Sequence, residues 1–201
     1  IKILKAELVT LGQEFGQNIR HDRFVIELDS EAELAGMPKD YIESHKKNAR
    51  GKIEISTDYP DYIPFMQYAD HDGARQKLRY KYLNRGQKNA PVLKALIEKR
   101  HELAKLLGYS SYADYIVEDK MIKNAQSIYS FIDKITGMAQ NGADKEYQAL
   151  LAYKKKRDPK ASTVYGHESS YLEQAFKKEH FSFDAQAVRP YFSYNRVRDG
   201  L

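Results

Sequence analysis

The longest helical period in this 201-residue chain runs through residues 125 to 155, and it restricts the fold more than any other feature. Ile128, Phe131/Ile132, Ile135 and Met138/Ala139 fall at three- and four-residue steps, and Leu150 and Tyr153 take up the period again eleven residues on, a pattern that suits one face of an α-helix and no strand. Unbroken, such a helix is about 45 Å long at 1.5 Å per residue. Gly137 and Gly142 are the points at which it can bend.

The same period governs most of the chain. Ile3/Leu4, Leu8, Leu11, Phe15 and Ile19 predict a helix over 2–20, in which Gly12 and Gly16 are expected to permit close packing. From Pro64 onward the pattern is almost wholly helical. Phe65, Met66 and Tyr68/Ala69 form a short apolar helix, and Leu78, Tyr82 and Leu83 belong to a next one ending near Asn84-Arg85-Gly86. Asn89 is expected to cap a strong helix with Pro91 in its first turn, Val92/Leu93, Leu96/Ile97, Leu103/Ala104 and Leu107 on one face, and Gly108 at its end. Ser111 with Asp114 opens another short helix; Lys160–Ser170 reads as a loop, and Tyr171–Lys178 as helix again.

Two segments depart from this period. Phe24–Leu28 and Lys52–Ser56 are short and partly alternating, the second ending at the turn signal Asp58-Tyr59-Pro60, and they predict a two-stranded β element. Between them Ser30 with Glu33 matches a capping box, and Pro38 suits the first turn of a helix carrying Tyr41, Ile42 and His45. The fold class is therefore mainly α, a multi-helical segment with a small two-stranded β element. No Gly/Ser linker or low-complexity tract divides it. Leu106–Ala113 has a faint likeness to one tetratricopeptide repeat, but without a copy 34 residues away it cannot build a solenoid.

Hydrophobic residues make up 42% and charged residues 30%, enough apolar material for a core and too much for a disordered chain. The absence of cysteine excludes disulfides, thiolate zinc sites, iron–sulfur clusters and a cysteine nucleophile. The charge of +5 is carried in short clusters at Lys46-Lys47 with Arg50, Lys154–Arg157 and Lys177-Lys178, read as solvated helix faces rather than a nucleic-acid surface. Sixteen tyrosines and eight phenylalanines without tryptophan point to rings used as core with hydroxyls at its wet margin. Neither a charged-then-apolar leader nor an 18-residue apolar run is present.

The motifs for chemistry are incomplete. A zinc hydrolase helix needs His-Glu-x-x-His, whose four-residue step sets both imidazoles on one face. His101-Glu102-Leu103-Ala104-Lys105 has a cation in the second position, and His167-Glu168-Ser169-Ser170-Tyr171 has a tyrosine. His101 is therefore expected on an exposed helix face, and His167 in a loop or at a helix start. His21, His45, His71 and His180 stand alone. No Gly-x-Ser-x-Gly elbow or phosphate loop occurs. The residues supply no catalytic and no metal site, and leave substrate-binding residues unassigned.

Taken in order, several stretches resemble the non-catalytic helical region of the thimet oligopeptidase, neurolysin and oligopeptidase A family of zinc peptidases. They are Leu11-Gly12-x-x-Phe15-x-x-Asn18, Leu34–Ile42, Ile53–Met66, and the run from Arg85-Gly86 through Asn89, Arg100–Tyr109 and Tyr112-Ala113 to Lys120-Met121. Near the end, Arg189-Pro190-Tyr191-Phe192 and Arg196–Leu201 are similar to the passage leading into that family's catalytic domain. One departure is local: where the family carries a Trp-Asp pair, the chain reads His167-Glu168.

The resemblance implies a neurolysin-like non-catalytic domain, with residues 1–201 as a single helical fragment of the channel wall and the catalytic zinc domain after residue 201. It implies zinc and short peptide substrates for the parent enzyme, and no cofactor in this part. The methionine-free start and the Gly200-Leu201 finish read as cut edges. The expected partners are the missing catalytic domain and, for the fragment, a second copy of itself, with no nucleic acid and no membrane; a cytoplasmic location is expected. The competing classes are a stand-alone helical protein-binding module and a basic RNA-binding helical domain.

Overall fold

The computed structural model describes residues 1–182 and 184–200, without the side chains of Ala185, Arg189 and Arg196. Of the sequence features above, Leu201 and those three side chains lie outside the described residues. Among the described residues the fold is mainly helical with one two-stranded antiparallel sheet, as the periodicity predicts. The chain divides into two compact units, residues 1–23 with 84–145, and residues 24–83 with 146–201.

In the first unit, α1 (Lys2–His21) packs against α5 (Asn89–Leu106). Two cross-links at opposite ends make the pair antiparallel. Asn18 Nδ2 donates to Asn89 Oδ1 at 2.8 Å, and Lys99 Nζ lies 2.9 Å from Glu7 Oε2. Leu4, Val92, Leu96, Leu103 and Ala104 are buried. Asn89 does not cap α5: it is the first helical residue, and its amide is buried and donates to the Phe15 carbonyl at 3.0 Å. Burial without a partner would strand that amide, so its polar capacity goes to the α1 contact.

The glycines of α1 also differ from expectation. The space over Gly12 is open, and Gly16 meets only the side chain of Arg20. A left-handed Gly108, at φ +85°, follows the end of α5. Ser111 Oγ then accepts from the Asp114 amide to start α6 (Tyr112–Val117). Helix α7 (Ala125–Lys155) has the predicted boundaries; its residues are shared between the units at Lys145.

The second unit is built on β1 (Val25–Leu28) and β2 (Ile53–Ser56), paired antiparallel with Leu28 opposite Ile53 and Ile26 opposite Ile55. Those four side chains share the buried face. On the other face Glu27 opposes Glu54, a repulsive cross-strand pair, and the Arg50 guanidinium reaches both. The cluster with Lys46 and Lys47 thus lies in irregular chain before β2 rather than on a helix. The capping box of Ser30 and Glu33 forms as predicted, around a 3-10 turn, Glu31–Leu34.

Helices α2 (Lys39–Ser44), α3 (Tyr59–Tyr68) and α4 (Asp72–Leu83) cover the sheet. Phe65, Leu34, Leu78, Met66 and Tyr62 fill the core with it. The signal Asp58-Tyr59-Pro60, read as a turn, is the start of α3. Pro60 occupies a position whose N–H has no helical partner, and the Asp58 carbonyl accepts from the Tyr62 amide at 2.8 Å. Gly36 adopts φ +86°, and a Cβ there would lie 2.2 Å from the Tyr68 carbonyl oxygen. Helix α8 (Ser169–Phe181) begins two residues before the predicted start, since Glu168 supplies its first acceptor. A 3-10 segment (Ala185–Phe192) and α9 (Tyr194–Asp199) complete the unit.

This core sets two expectations. Phe65→Ala should lower unfolding free energy by about 3–5 kcal/mol. Gly36→Ala should cost more than about 1 kcal/mol, because both the backbone angle and the Tyr68 carbonyl oppose a methyl group. Urea denaturation checks both, and a Gly36→Ala variant as stable as the parent would contradict the close approach.

Candidate functional site

The polar residues of the second unit converge where α4 meets the chain entering α8. Arg75 is at the centre. It sits three residues before the core residue Leu78 on α4 and is only 3% exposed, so its charge has to be met inside the protein. It is met completely. Nη1 donates to the Ala69 carbonyl, Nε to the His167 carbonyl at 3.2 Å, and Nη2 to Asp72 Oδ1 at 2.6 Å. The guanidinium also lies 4.1 Å from the centre of the Tyr171 ring, where the negative ring face attracts it.

His167 is buried in the turn before α8, consistent with a helix start, and its Nε2 lies 3.2 Å from Asp72 Oδ2. Its ring stacks on Tyr165 at 5.8 Å. Glu168 takes Lys154 Nζ at 2.7 Å and the Tyr165 amide at 2.7 Å on the same oxygen. Lys154 also donates to the Thr163 carbonyl at 3.0 Å. The expectation of a solvated face for Lys154 is therefore corrected: its side chain is 13% exposed in an ion pair. His101, by contrast, is exposed on α5 as expected.

Beside this network a cleft of about 430 Å³ is lined by Asp70, Tyr153, Arg157, Tyr171 and Lys178, among others. Tyr171 donates its hydroxyl to Asp70 Oδ1 at 2.8 Å, and Arg157 Nη2 donates to the Tyr153 hydroxyl at 3.0 Å. Burial, with the Asp70 carboxylate next, pushes the Tyr171 phenol above its ordinary value. Burial likewise raises Tyr153, helped by Glu179.

Asp72, His167 and Glu168 are the one trio among the described residues whose ligand atoms cluster as a metal site would require, within 4.8 Å of one another. The donor set does not suit zinc. It has one imidazole, and both carboxylates are already in contact with cations, Asp72 with Arg75 and Glu168 with Lys154. A divalent ion would add charge to a balanced group and compete with two salt bridges, one of them, Lys154–Glu168, largely buried on both sides. The arrangement binds peptide segments of this chain together; it presents no nucleophile paired with a base. Sequence reasoning singled out His167 and Glu168 but passed over Asp72 and Arg75. The available signal was a charged residue at a core position of α4, with an acid three residues before it.

The fold and this network define a helical scaffold with a neutralised polar core. Comparison with known proteins supplies the family. The model of peptidase family M3 matches residues 65–201, and the chain belongs to that family. It is similar to oligopeptidase A of Salmonella typhimurium, 28% identical over 98% of this chain and 31% of that protein. It is also similar to the probable thimet oligopeptidase of Arabidopsis thaliana, 26% identical over all of this chain and 28% of that protein. Saccharolysin of Saccharomyces cerevisiae is 26% identical over all of this chain and 30% of its own. The chain thus spans about a third of the length of these relatives. No helix among the described residues is long and apolar enough to cross a membrane.

Breaking the network should be costly. Arg75→Met leaves the Ala69 and His167 carbonyls and Asp72 without their donor, and should lower stability by about 3–5 kcal/mol. Equimolar Zn²⁺ should leave the melting midpoint of the parent chain unchanged. Because Tyr171 holds its proton more tightly folded than unfolded, its contribution is complete below the unfolded value of 10.0. It drains away as pH climbs from there toward the folded value. Tyr171→Phe should flatten that alkaline loss in stability measured between pH 8 and 11; an unchanged slope would contradict the assignment.

Proposed function

We propose that this chain is the non-catalytic helical part of a zinc-dependent oligopeptidase acting on short peptides, and that it serves as scaffold and substrate-channel wall without activity of its own. Membership of peptidase family M3 supports the enzyme class. One structural observation supports the inactive role: the histidine and carboxylates that cluster in this chain, His167, Asp72 and Glu168, are already engaged with one another and with Arg75 and Lys154, and a single imidazole beside two cation-paired carboxylates is not the donor set of a catalytic zinc. In the whole enzyme, zinc would polarise the scissile carbonyl and help generate the attacking hydroxide. Those ligands are expected in a His-Glu-x-x-His segment that these 201 residues do not contain. The match to about a third of each relative's length supports this division of labour.

Within the reading, the residues here contribute rigidity and shape. The buried cores of the two units fix their helices, and a wall that excludes folded proteins while admitting peptides acts by size rather than by reacting groups. The polar cleft beside Tyr153, Arg157 and Tyr171 offers hydrogen-bonding groups to a peptide backbone.

The test is direct. Residues 1–201 incubated with Zn²⁺ and internally quenched short peptides should give no turnover, while the full gene product should cleave them and lose activity with a chelator. Chelator-sensitive turnover by residues 1–201 at the stoichiometry of the protein would overturn the inactive role. A full gene product lacking His-Glu-x-x-His would overturn the enzyme reading itself.

A further inference from the structure

Helix α8 turns one row of side chains to the cleft beside the Arg75 network. Tyr171, Gln174, Ala175 and Lys178 follow one another at helical steps along it, and Gln67 of α3 lines the same space. Two of these groups have nothing to bond within the protein. The side chains of Gln67 and Gln174 are half-buried, on two helices that pack together, and among the described residues neither has a hydrogen-bond partner. A carboxamide sets a carbonyl acceptor beside an NH2 donor. That pair is the complement of the N–H and C=O of a peptide group.

The charges around the cleft are matched. Lys178 Nζ lies 3.1 Å from Asp184 Oδ2, and Lys156 Nζ 3.2 Å from Glu179 Oε1. Arg157 Nη1 donates to the Tyr171 hydroxyl at 3.4 Å, and that hydroxyl donates in turn to Asp70. Three cations thus face three carboxylates, which leaves no net charge to select an ionic ligand. What the cleft has to offer is the two carboxamides, and between them and Lys178 the small side chain of Ala175 keeps the row open. From Tyr171 to Lys178 the helix rises about 10 Å at 1.5 Å per residue, the length of about three residues of extended chain.

We propose that this cleft holds about three residues of a short peptide in extended form, bound through its backbone by Gln67 and Gln174 with little regard to sequence. Each carboxamide takes one peptide group, donating to its carbonyl and accepting from its N–H. The inference rests on the oligopeptidase reading for its ligand class, and adds to it a site on this chain that holds peptide without cleaving it. Because the neighbouring ion pairs stay closed, binding displaces no existing contact. Its strength is that of a few neutral hydrogen bonds, so the complex is weak and exchanges quickly.

The probe is an acetylated, amidated pentapeptide of alanine and serine carrying a fluorophore, read by anisotropy against the 201-residue chain with its helicity confirmed by circular dichroism. Binding should saturate below about 1 mM. Gln67→Leu and Gln174→Leu should each weaken it about 10-fold, the worth of two neutral hydrogen bonds. The same peptide N-methylated at its central amides should lose at least as much. Raising salt from about 50 to 500 mM should change the affinity less than about twofold. Ala175→Phe, which fills the row and leaves both amides in place, should abolish binding, and it carries the test if a glutamine variant fails to fold. No saturation by the parent chain at about 1 mM, or equal binding by the variants and the N-methylated peptide, would overturn the proposal. A steep loss with salt would overturn recognition through the backbone. Turnover separates the two readings: a full gene product that cleaves peptides while this chain binds none defeats the present inference alone, and peptide binding here with no cleavage by the full gene product defeats the oligopeptidase reading alone.

Discussion

The second unit depends on one buried guanidinium. A cation at the position of Arg75 is tolerable only if its donors are satisfied, because desolvation without partners costs several kcal/mol. Its three acceptors come from separate places in the chain: the end of α3 at Ala69, the first turn of α4 at Asp72, and the turn before α8 at His167. Satisfying the charge therefore fixes the relation of those segments. A hydrophobic residue of similar volume would fill the space but leave two buried carbonyls without a donor. The aromatic face of Tyr171 completes the shell from α8, so the same charge that binds the loop also orients the helix after it.

A second knot of the same kind serves the sheet. The side chain of Asp61, on α3, accepts from the Ser56 amide at 3.1 Å and lies 3.2 Å from His45 Nε2. Its backbone carbonyl accepts from the Tyr41 hydroxyl at 3.0 Å. Strand, α2 and α3 thus meet on one acidic residue. Burial, with Asp61 adding to it, pushes the Tyr41 phenol far up, so at any ordinary pH it is a donor. The tyrosines of this unit act as the composition suggests, with rings such as those of Tyr62 and Tyr82 stacked 3.9 Å apart and hydroxyls at the polar margin.

How far the chain could be read from its sequence follows from the range of the signals. Periodicity is local, and it located α1, α5 and α7 almost to the residue, with both strands and the Ser111 cap. Asn89 failed for an instructive reason. Its residue type and its place before Pro91 are good local cap signals, yet a partner on α1, Asn18, 71 positions away in sequence, competes for the same amide. Lys154 failed similarly: a basic run at the end of a helix normally faces water, and nothing nearby in sequence announces Glu168, fourteen residues later. His167 was legible as a residue of a helix start, but its link to Asp72 spans 95 positions. Long-range polar pairing is what sequence patterning does not encode, because a side chain's partner depends on how the core brings segments together.

The two units spend their side-chain chemistry differently. In the second, the charged groups around Arg75 and Lys154 are engaged by one another, and every buried side-chain nitrogen and oxygen among the described residues has a partner. A network closed in this way is rigid but offers little free energy to a newcomer, since any new contact must first displace an old one. In the first unit the unspent capacity is apolar. Ile135 and Phe131 on α7 are 46% and 58% exposed, so covering them would release water from apolar surface. Covering the stripe would thus be favourable, while His167, Asp72 and Glu168 are already engaged with one another and with Arg75 and Lys154. Judged by local appearance the roles would be reversed: His167-Glu168 suggests a site, and a helix of Ile, Phe and Met suggests a core.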